Sequence, residues 1–274
     1  MNIAYRIQRK SKKLLREYLL RNEFIKKTKY GFSIKLNVSK DVDKHFYWGE
    51  FEYELINFLS LILNKCSVFI DIGANIGIYT LLASQQMKNM GKVYAFEPSG
   101  WAYDRLLENL RINNFNNVET FKIAVSDITG NLKFHMCDDD AYNSLSDAPM
   151  QKVKEVIEIQ SVRLENFCEE CGIKVVDIIK IDAEGADYRV LKGAENILKS
   201  NPSPMIICEL NKNILKSLSY TKKDFISFMK SFSYDFYSLS NEFLIKIDLE
   251  NYDVNELICI KNYHIEKFEL KIKA

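Results

Sequence analysis

The stretch Val68-Phe-Ile-Asp-Ile-Gly-Ala-Asn-Ile-Gly-Ile-Tyr-Thr80 decides the fold class. It opens as a run of β-formers from Ser67 to Ile72, apolar enough to be buried on both faces. The run breaks at Gly73 and Gly77 and resumes as an apolar helical pattern through Thr80, Leu81, Leu82 and Ala83. Strand, glycine turn and helix in that order aim backbone N–H groups and a helix N-terminus at a ligand. Gly73 lets the chain turn where a Cβ would clash, and Gly77 lets helix and strand approach closely. Asp71 at the strand end, with Ala74 and Asn75 in the turn, completes a nucleotide-type site.

Working outward, strands and helices alternate. Lys92–Phe96 reads as a strand closed by Glu97-Pro98, Ala102–Asn113 as a helix and Val118–Val125 as a strand. An inserted hairpin, Asn131–Met136 with Val156–Val162, brackets a polar loop holding Asn143 and Ser144. A helix at Leu164–Glu170, a strand at Val175–Ile181, a helix at Tyr188–Lys199 and a strand at Pro204–Glu209 follow. A helix at Lys222–Ser231 and three more strands close the pattern. Upstream, residues 2–29 read as a basic amphipathic helix able to touch an anionic membrane surface or a partner. Residues 30–48 read as strands ending in Phe46-Tyr47-Trp48. The expected architecture is α/β: a doubly wound, mostly parallel Rossmann-like sheet with helices on both faces and antiparallel edge strands. Residues 1–48 form an extension and 49–274 the main domain.

A chain of 274 residues, 47% hydrophobic, can bury one large core, and a net charge of +1 gives no general pull toward nucleic acid. The six cysteines lack framework spacing, and neither a secretory signal nor a transmembrane run is evident. A cytoplasmic protein with reduced thiols is expected.

The glycines at 73 and 77 flank Asn75, so the middle glycine of a dinucleotide fingerprint is missing, as is the ending of a phosphate loop. Glu97 closes the next strand, where one carboxylate can accept both hydroxyls of a ribose. A ribose-bearing ligand without pyrophosphate points to S-adenosylmethionine. Val68–Tyr79, Val93–Pro98, Asp177–Gly193, Met205–Glu209 and the lead-in Gly49–Glu54 together resemble the FkbM family of S-adenosylmethionine-dependent methyltransferases. The resemblance covers roughly residues 45–212. It implies that Asp71, Gly73, Ala74, Asn75 and Gly77 hold the methionine end, Glu97 and Pro98 the ribose, and Ala124 and Val125 the adenine. Leu164-Glu165 stands where the family carries Leu-Asp, and Asp187 where it carries Glu.

Beyond the strands' carboxyl ends the sequence also places Asp182, Glu184 and Glu209. An alcohol acceptor gains from a nearby base, and clustered carboxylates raise one another's pKa toward neutrality. Asp182 is the first candidate for base or acceptor-orienting group and Glu209 the second; Glu184 could instead cap its helix, and the cluster could instead pair with Lys180 and Lys192. The same acids could hold Mg²⁺. The motif of amino-directed nucleic-acid methyltransferases is missing, no cysteine stands in that region, and three acids would repel a phosphate backbone. An uncharged hydroxyl on a glycan, a nucleotide-linked sugar or a related metabolite is the expected acceptor, with no nucleic-acid partner. The rival readings are a nicotinamide-dependent oxidoreductase and a non-catalytic S-adenosylmethionine-binding subunit.

Overall fold

The computed structural model describes residues 23–88, 90–138, 143–145, 151–210, 220–252, 254 and 256–273. A hairpin, β1 (Phe24–Lys27) and β2 (Ser33–Leu36), leads into two helices, α1 (Asp41–Trp48) and α2 (Tyr53–Ile62). Then come β3 (Val68–Ile72), α3 (Ile78–Met87), β4 (Lys92–Phe96), α4 (Gly100–Asn113) and β5 (Val118–Phe121). β6 (Ala124–Val125), β7 (Gly130–Cys137) and β8 (Val153–Val162) form a separate three-stranded sheet. The chain returns through α5 (Leu164–Glu170), β9 (Ile178–Ile181), α6 (Asp187–Lys192), α7 (Glu195–Lys199) and β10 (Met205–Glu209). It closes with α8 (Lys222–Ser231), β11 (Asp235–Ser240), β12 (Phe243–Lys246), β13 (Glu256–Ile260), α9 (Asn262–Phe268) and β14 (Ile272–Lys273).

The main sheet runs β14-β12-β11-β13-β10-β9-β3-β4-β5, parallel from β5 through to β10. From β3 the chain winds outward to β4 and β5; from β9 it winds the other way to β10. The crevice between the carboxyl ends of β3 and β9 is therefore the topological switch point. Side chains alternate across the sheet as strand geometry requires: Phe69, Val93, Ala95 and Ile178 join one core layer. Ile70, Ile72, Phe96, Ile179 and Ile181 join the other.

The expected antiparallel strands lie at one end of the sheet: β12 and β14 at its edge run against the parallel strands, as does β13 between β10 and β11. Other expectations need correction. Val118–Val125 is not one strand: the chain leaves the main sheet after Phe121, and Ala124–Val125 pairs with β8 instead. The helix expected over Tyr188–Lys199 breaks around Gly193 into α6 and α7. Phe46, Tyr47 and Trp48 sit on helix α1, and residues from 23 onward form the β1–β2 hairpin, not a continued basic helix. The remainder of that basic helix, with its membrane or partner contact, falls on residues 1–22, outside the described ones.

The described part of the extension shares the main core: Phe32, Ile34, Leu36 and Phe46 pack in the same layer as Phe69 and Leu81. A buried ion pair adds a polar clamp, with Arg105 on α4 donating to both oxygens of Asp43 on α1 at 2.9 and 2.6 Å. Arg105 also donates to the Lys35 carbonyl at 2.9 Å, so all three elements are tied together. Among the described residues no helix is long and apolar enough to cross a membrane.

Candidate active site

The turn after β3 folds back on its neighbours. Gly73 and Ala74 donate their N–H groups to the Phe96 carbonyl at 2.9 and 3.0 Å. Asn75 N–H donates to Glu97 Oε2 at 2.8 Å, Ile76 N–H to Asn75 Oδ1 at 2.8 Å, and Gly77 N–H to the Ala74 carbonyl at 2.9 Å. The expected row of ligand-facing donors is thus spent inside the protein, which removes the anion cradle that a pyrophosphate needs. Gly73 has φ +77°, and a Cβ there would stand 1.9 Å from the Asp182 carbonyl oxygen. Gly77 has φ +94°, and its Cβ would strike Leu106 of α4 at 2.5 Å, so the close approach is helix to helix and not helix to strand.

Two adjoining cavities open at the switch point and share Gly73, Asn75, Asp182 and Glu184 as walls. The first is bounded by Glu97, Pro98, Ala124 and Val125, with Phe96, Phe134 and Asn143. Glu97 Oε1 accepts the Ser99 N–H at 2.8 Å while Oε2 holds Asn75. Burial pushes the Glu97 carboxyl up to about 7 despite these two donors. Asn143 and Ser144, from the polar loop of the inserted hairpin, are buried. Asn143 Oδ1 accepts the Cys137 N–H at 2.7 Å, and the Ser144 hydroxyl donates to the Glu184 carbonyl at 2.6 Å. Ser144 therefore ties the inserted hairpin to the site, while Asn143 braces the hairpin itself.

The second cavity is lined by Asp182, Glu184, Glu209, Ala74, Glu52, Tyr79 and Lys180. Lys180 on β9 is buried, opposite Asp71 on β3. Its ammonium donates to Asp182 Oδ2 at 2.7 Å and lies 4.6 Å from the Tyr79 ring centroid. Tyr79 in turn donates its hydroxyl to Glu52, at the start of α2. Burial lowers the Lys180 pKa, but Asp182, Glu52 and Asp71 outweigh it and hold the ammonium well above its ordinary range. Lys180 is the cation of this cluster. Among the described residues no group of three or more His, Cys, Asp or Glu is arranged to hold a metal ion, so the Mg²⁺ reading has no support.

The acids differ in kind. Burial first, then the Asp182 charge, pushes Glu184 up to about 9. Glu209 is pushed up to about 8 by the same causes, although its exposed side chain lets solvent screen part of the effect. Asp187, pushed up to about 7 mainly by burial, accepts the Glu209 N–H at 3.0 Å and fixes the end of β10. Glu184 does not cap α6, whose N-cap position is Ala186. Lys192 points elsewhere, to the Tyr220 hydroxyl. Glu165 pairs with Arg163 at 2.5 Å and accepts the Asn196 N–H at 3.0 Å, away from both cavities.

Asp71 lines neither cavity. It is fully buried beneath the turn, where Oδ2 accepts the Thr80 hydroxyl at 2.6 Å and Oδ1 has no hydrogen-bond partner; burial raises its pKa. Glu52 and Tyr79 were not foreseen, because Glu52 reaches the site from a helix far upstream. Lys180 had a visible signal: a lysine inside Ile178-Ile-Lys-Ile181, an otherwise apolar strand.

Residues 71–236 match the family described as the methyltransferase FkbM domain. The chain belongs to the FkbM methyltransferase family. It is 27% identical over 154 residues to the 2-O-methyltransferase NoeI of Sinorhizobium fredii, covering 51% of this chain and 62% of that protein. It is 25% identical over 176 residues to the hexuronic acid methyltransferase AglP of Haloferax volcanii, covering 62% of this chain and 69% of that protein. The chain thus spans less than two thirds of NoeI's length. The crystal structure of an FkbM methyltransferase from Methylobacillus flagellatus shares 16% identity and a TM-score of 0.47, over 72% of this chain and 44% of that one.

Proposed function

We propose that this FkbM-family chain is an S-adenosylmethionine-dependent O-methyltransferase acting on a carbohydrate hydroxyl. The observation that carries the reading is the pair of adjoining cavities, one with apolar walls and the doubly anchored Glu97, the other acidic around a buried lysine, with Asp182 and Glu184 in the wall they share. Two relatives, named as a 2-O-methyltransferase and a hexuronic acid methyltransferase, support the acceptor class.

The first cavity fits the donor. Each Glu97 oxygen accepts one backbone N–H and retains a lone pair, which suits the two hydroxyls of a ribose. Ala124, Val125 and Phe134 offer apolar walls for adenine, while Gly73 and Asn75 stand on the side leading to the second cavity. The saturated N–H groups of the turn disfavour a nicotinamide dinucleotide, and a cationic sulfonium has no need of them. Bound there, S-adenosylmethionine would supply a methyl group open to in-line displacement.

The chain's own residues then handle the acceptor. Asp182, tethered by Lys180, accepts from a hydroxyl of the acceptor next to the reacting one and so aims the reacting oxygen. Glu184, which holds its proton at neutral pH, donates to a neighbouring acceptor oxygen. Glu209 takes the hydroxyl proton; its raised pKa makes it a stronger base than an ordinary carboxylate, and ionisation near pH 8 makes that base available. Calorimetric titration with S-adenosylhomocysteine and with NAD tests the donor assignment. Binding of NAD with no binding of S-adenosylhomocysteine sinks it. Labelled methyl transfer to a panel of glycans, followed by mapping of the methylated position, tests the acceptor assignment.

A further inference from the structure

A third cavity opens between the β1–β2 hairpin and helices α1 and α2. Its lining includes Lys26, Lys29, Tyr30, Tyr47, Trp48 and Tyr53, together with Phe51, which also lines the acidic cavity. Its volume of about 350 Å³ lies within the range of small-molecule sites, roughly 300–1,000 Å³. Trp48 is 57% and Tyr53 52% exposed, so both rings offer surface to a ligand in the cleft.

The aromatic rings fall into two runs, which Lys26 bridges. Trp48 meets Tyr47 edge-on at 4.9 Å, Phe46 meets Phe51 at 6.4 Å, and Phe51 meets Tyr79 of the acidic cavity at 6.3 Å. Lys26 lies over both Phe46 and Tyr47, at 5.6 and 5.1 Å, and donates to the Tyr47 carbonyl at 2.9 Å, which fixes this end of α1. Lys29 is exposed, with its ammonium 4.6 Å from the Tyr53 ring centroid and 5.0 Å from that of Tyr30. Among the described residues the lining holds two lysines and no acid, the reverse of the neighbouring cavity with Glu52, Asp182, Glu184 and Glu209.

We propose that this cleft is a second carbohydrate subsite, taking a carboxylate-bearing pyranose next to the sugar that is methylated. The inference rests on the acceptor reading above. An aromatic wall matches the apolar C–H face of a pyranose, and a ring with one polar edge suits a site that is half wet. Lys29 supplies a cation for the carboxylate, held in place by the faces of two tyrosine rings. The acidic cavity repels a carboxylate and accepts hydroxyls, whereas the cleft does the opposite. Two sugars in sequence along Phe51 would therefore be held in one direction only, which fixes which ring is presented for methylation.

The test uses the full chain with Trp101→Phe, which leaves Trp48 as the sole tryptophan and its emission as a local readout. Cellobiouronate, cellotriose and phosphatidylglycerol vesicles are titrated separately, the first carrying one uronate ring beside one neutral ring. Cellobiouronate is expected to give a saturable change in Trp48 emission that added salt weakens. Lys29→Gln and Tyr53→Ala are each expected to weaken it about tenfold. Trp48→Ala, followed by calorimetry, should lose cellobiouronate binding while S-adenosylhomocysteine affinity stays within twofold, roughly the scatter expected for a distant surface change. Equal binding of cellotriose, a response to vesicles alone, or no response to any probe would each overturn the subsite. Loss of S-adenosylhomocysteine binding by the unmodified chain would instead strike at the donor reading, so the two failures are distinguishable.

Discussion

The two cavities at the switch point share walls but are built by different means. The first is made largely by backbone: the turn after β3 is locked by its own N–H groups, and Glu97 is anchored by the Asn75 and Ser99 N–H groups. The second is made by side chains gathered from α2, α3, β9 and β10, and its shape depends on Lys180 balancing Asp182, Glu52 and Asp71. Damage to the backbone-built side should therefore be all-or-none. Damage to the other should be graded and open to rescue.

The largest effect is expected from Gly73→Ala, which forces a left-handed φ and a 1.9 Å contact with the Asp182 carbonyl. Affinity for S-adenosylhomocysteine should fall at least about 100-fold, with calorimetry as the measurement and circular dichroism to separate misfolding from lost binding. Lys180→Met leaves buried acids without their cation and should cost about 3–5 kcal/mol in urea unfolding. Adding Asp182→Asn should recover part of that loss; no recovery would show that the two residues do not act as a pair. Glu209→Gln should lower turnover about 100-fold with donor affinity unchanged, and should abolish the rise in rate toward pH 8. Glu97→Gln swaps one acceptor oxygen for an amide that faces a backbone N–H, and should weaken the donor about tenfold.

The smallest effect is on stability against pH. Glu184 and Glu256 are pushed up, to about 9 and about 8, mainly by burial, so the folded chain holds protons that the unfolded chain has released. That contribution is full below the ordinary carboxyl range and is lost as pH rises through these values. Melting temperature should decline from about pH 5 to about pH 9, and Glu256→Gln should flatten the decline.

The backbone-built cavity was largely legible because its parts lie close in sequence. Strand β3, its turn and Glu97 at the end of the adjacent parallel strand follow from local periodicity and punctuation. Where reading failed there, it failed on hydrogen-bond destinations: the turn's N–H groups look free in sequence, and only the Phe96 and Ala74 carbonyls and the Asn75 and Glu97 side chains absorb them. The break after Phe121 was hidden because a run of strand-formers does not say which sheet it will join. The side-chain cavity was legible only in part, since Asp182, Glu184 and Glu209 stand at strand ends, whereas Glu52 and Tyr79 arrive through packing.

By itself the sequence determined the doubly wound α/β class, the glycine turn, the family resemblance and the acids at the strand ends. These depend on local conformational preference and on strand spacing. Tertiary structure alone decided that Lys180 stands among those acids, that Asp71 lies beneath the turn, and that Trp48 and Tyr53 flank a cleft that shares Phe51 with the acidic cavity. The physical reason is range: hydrogen bonds, ion pairs and cavity walls join residues far apart in the chain, and their partners are fixed only when the sheet is assembled.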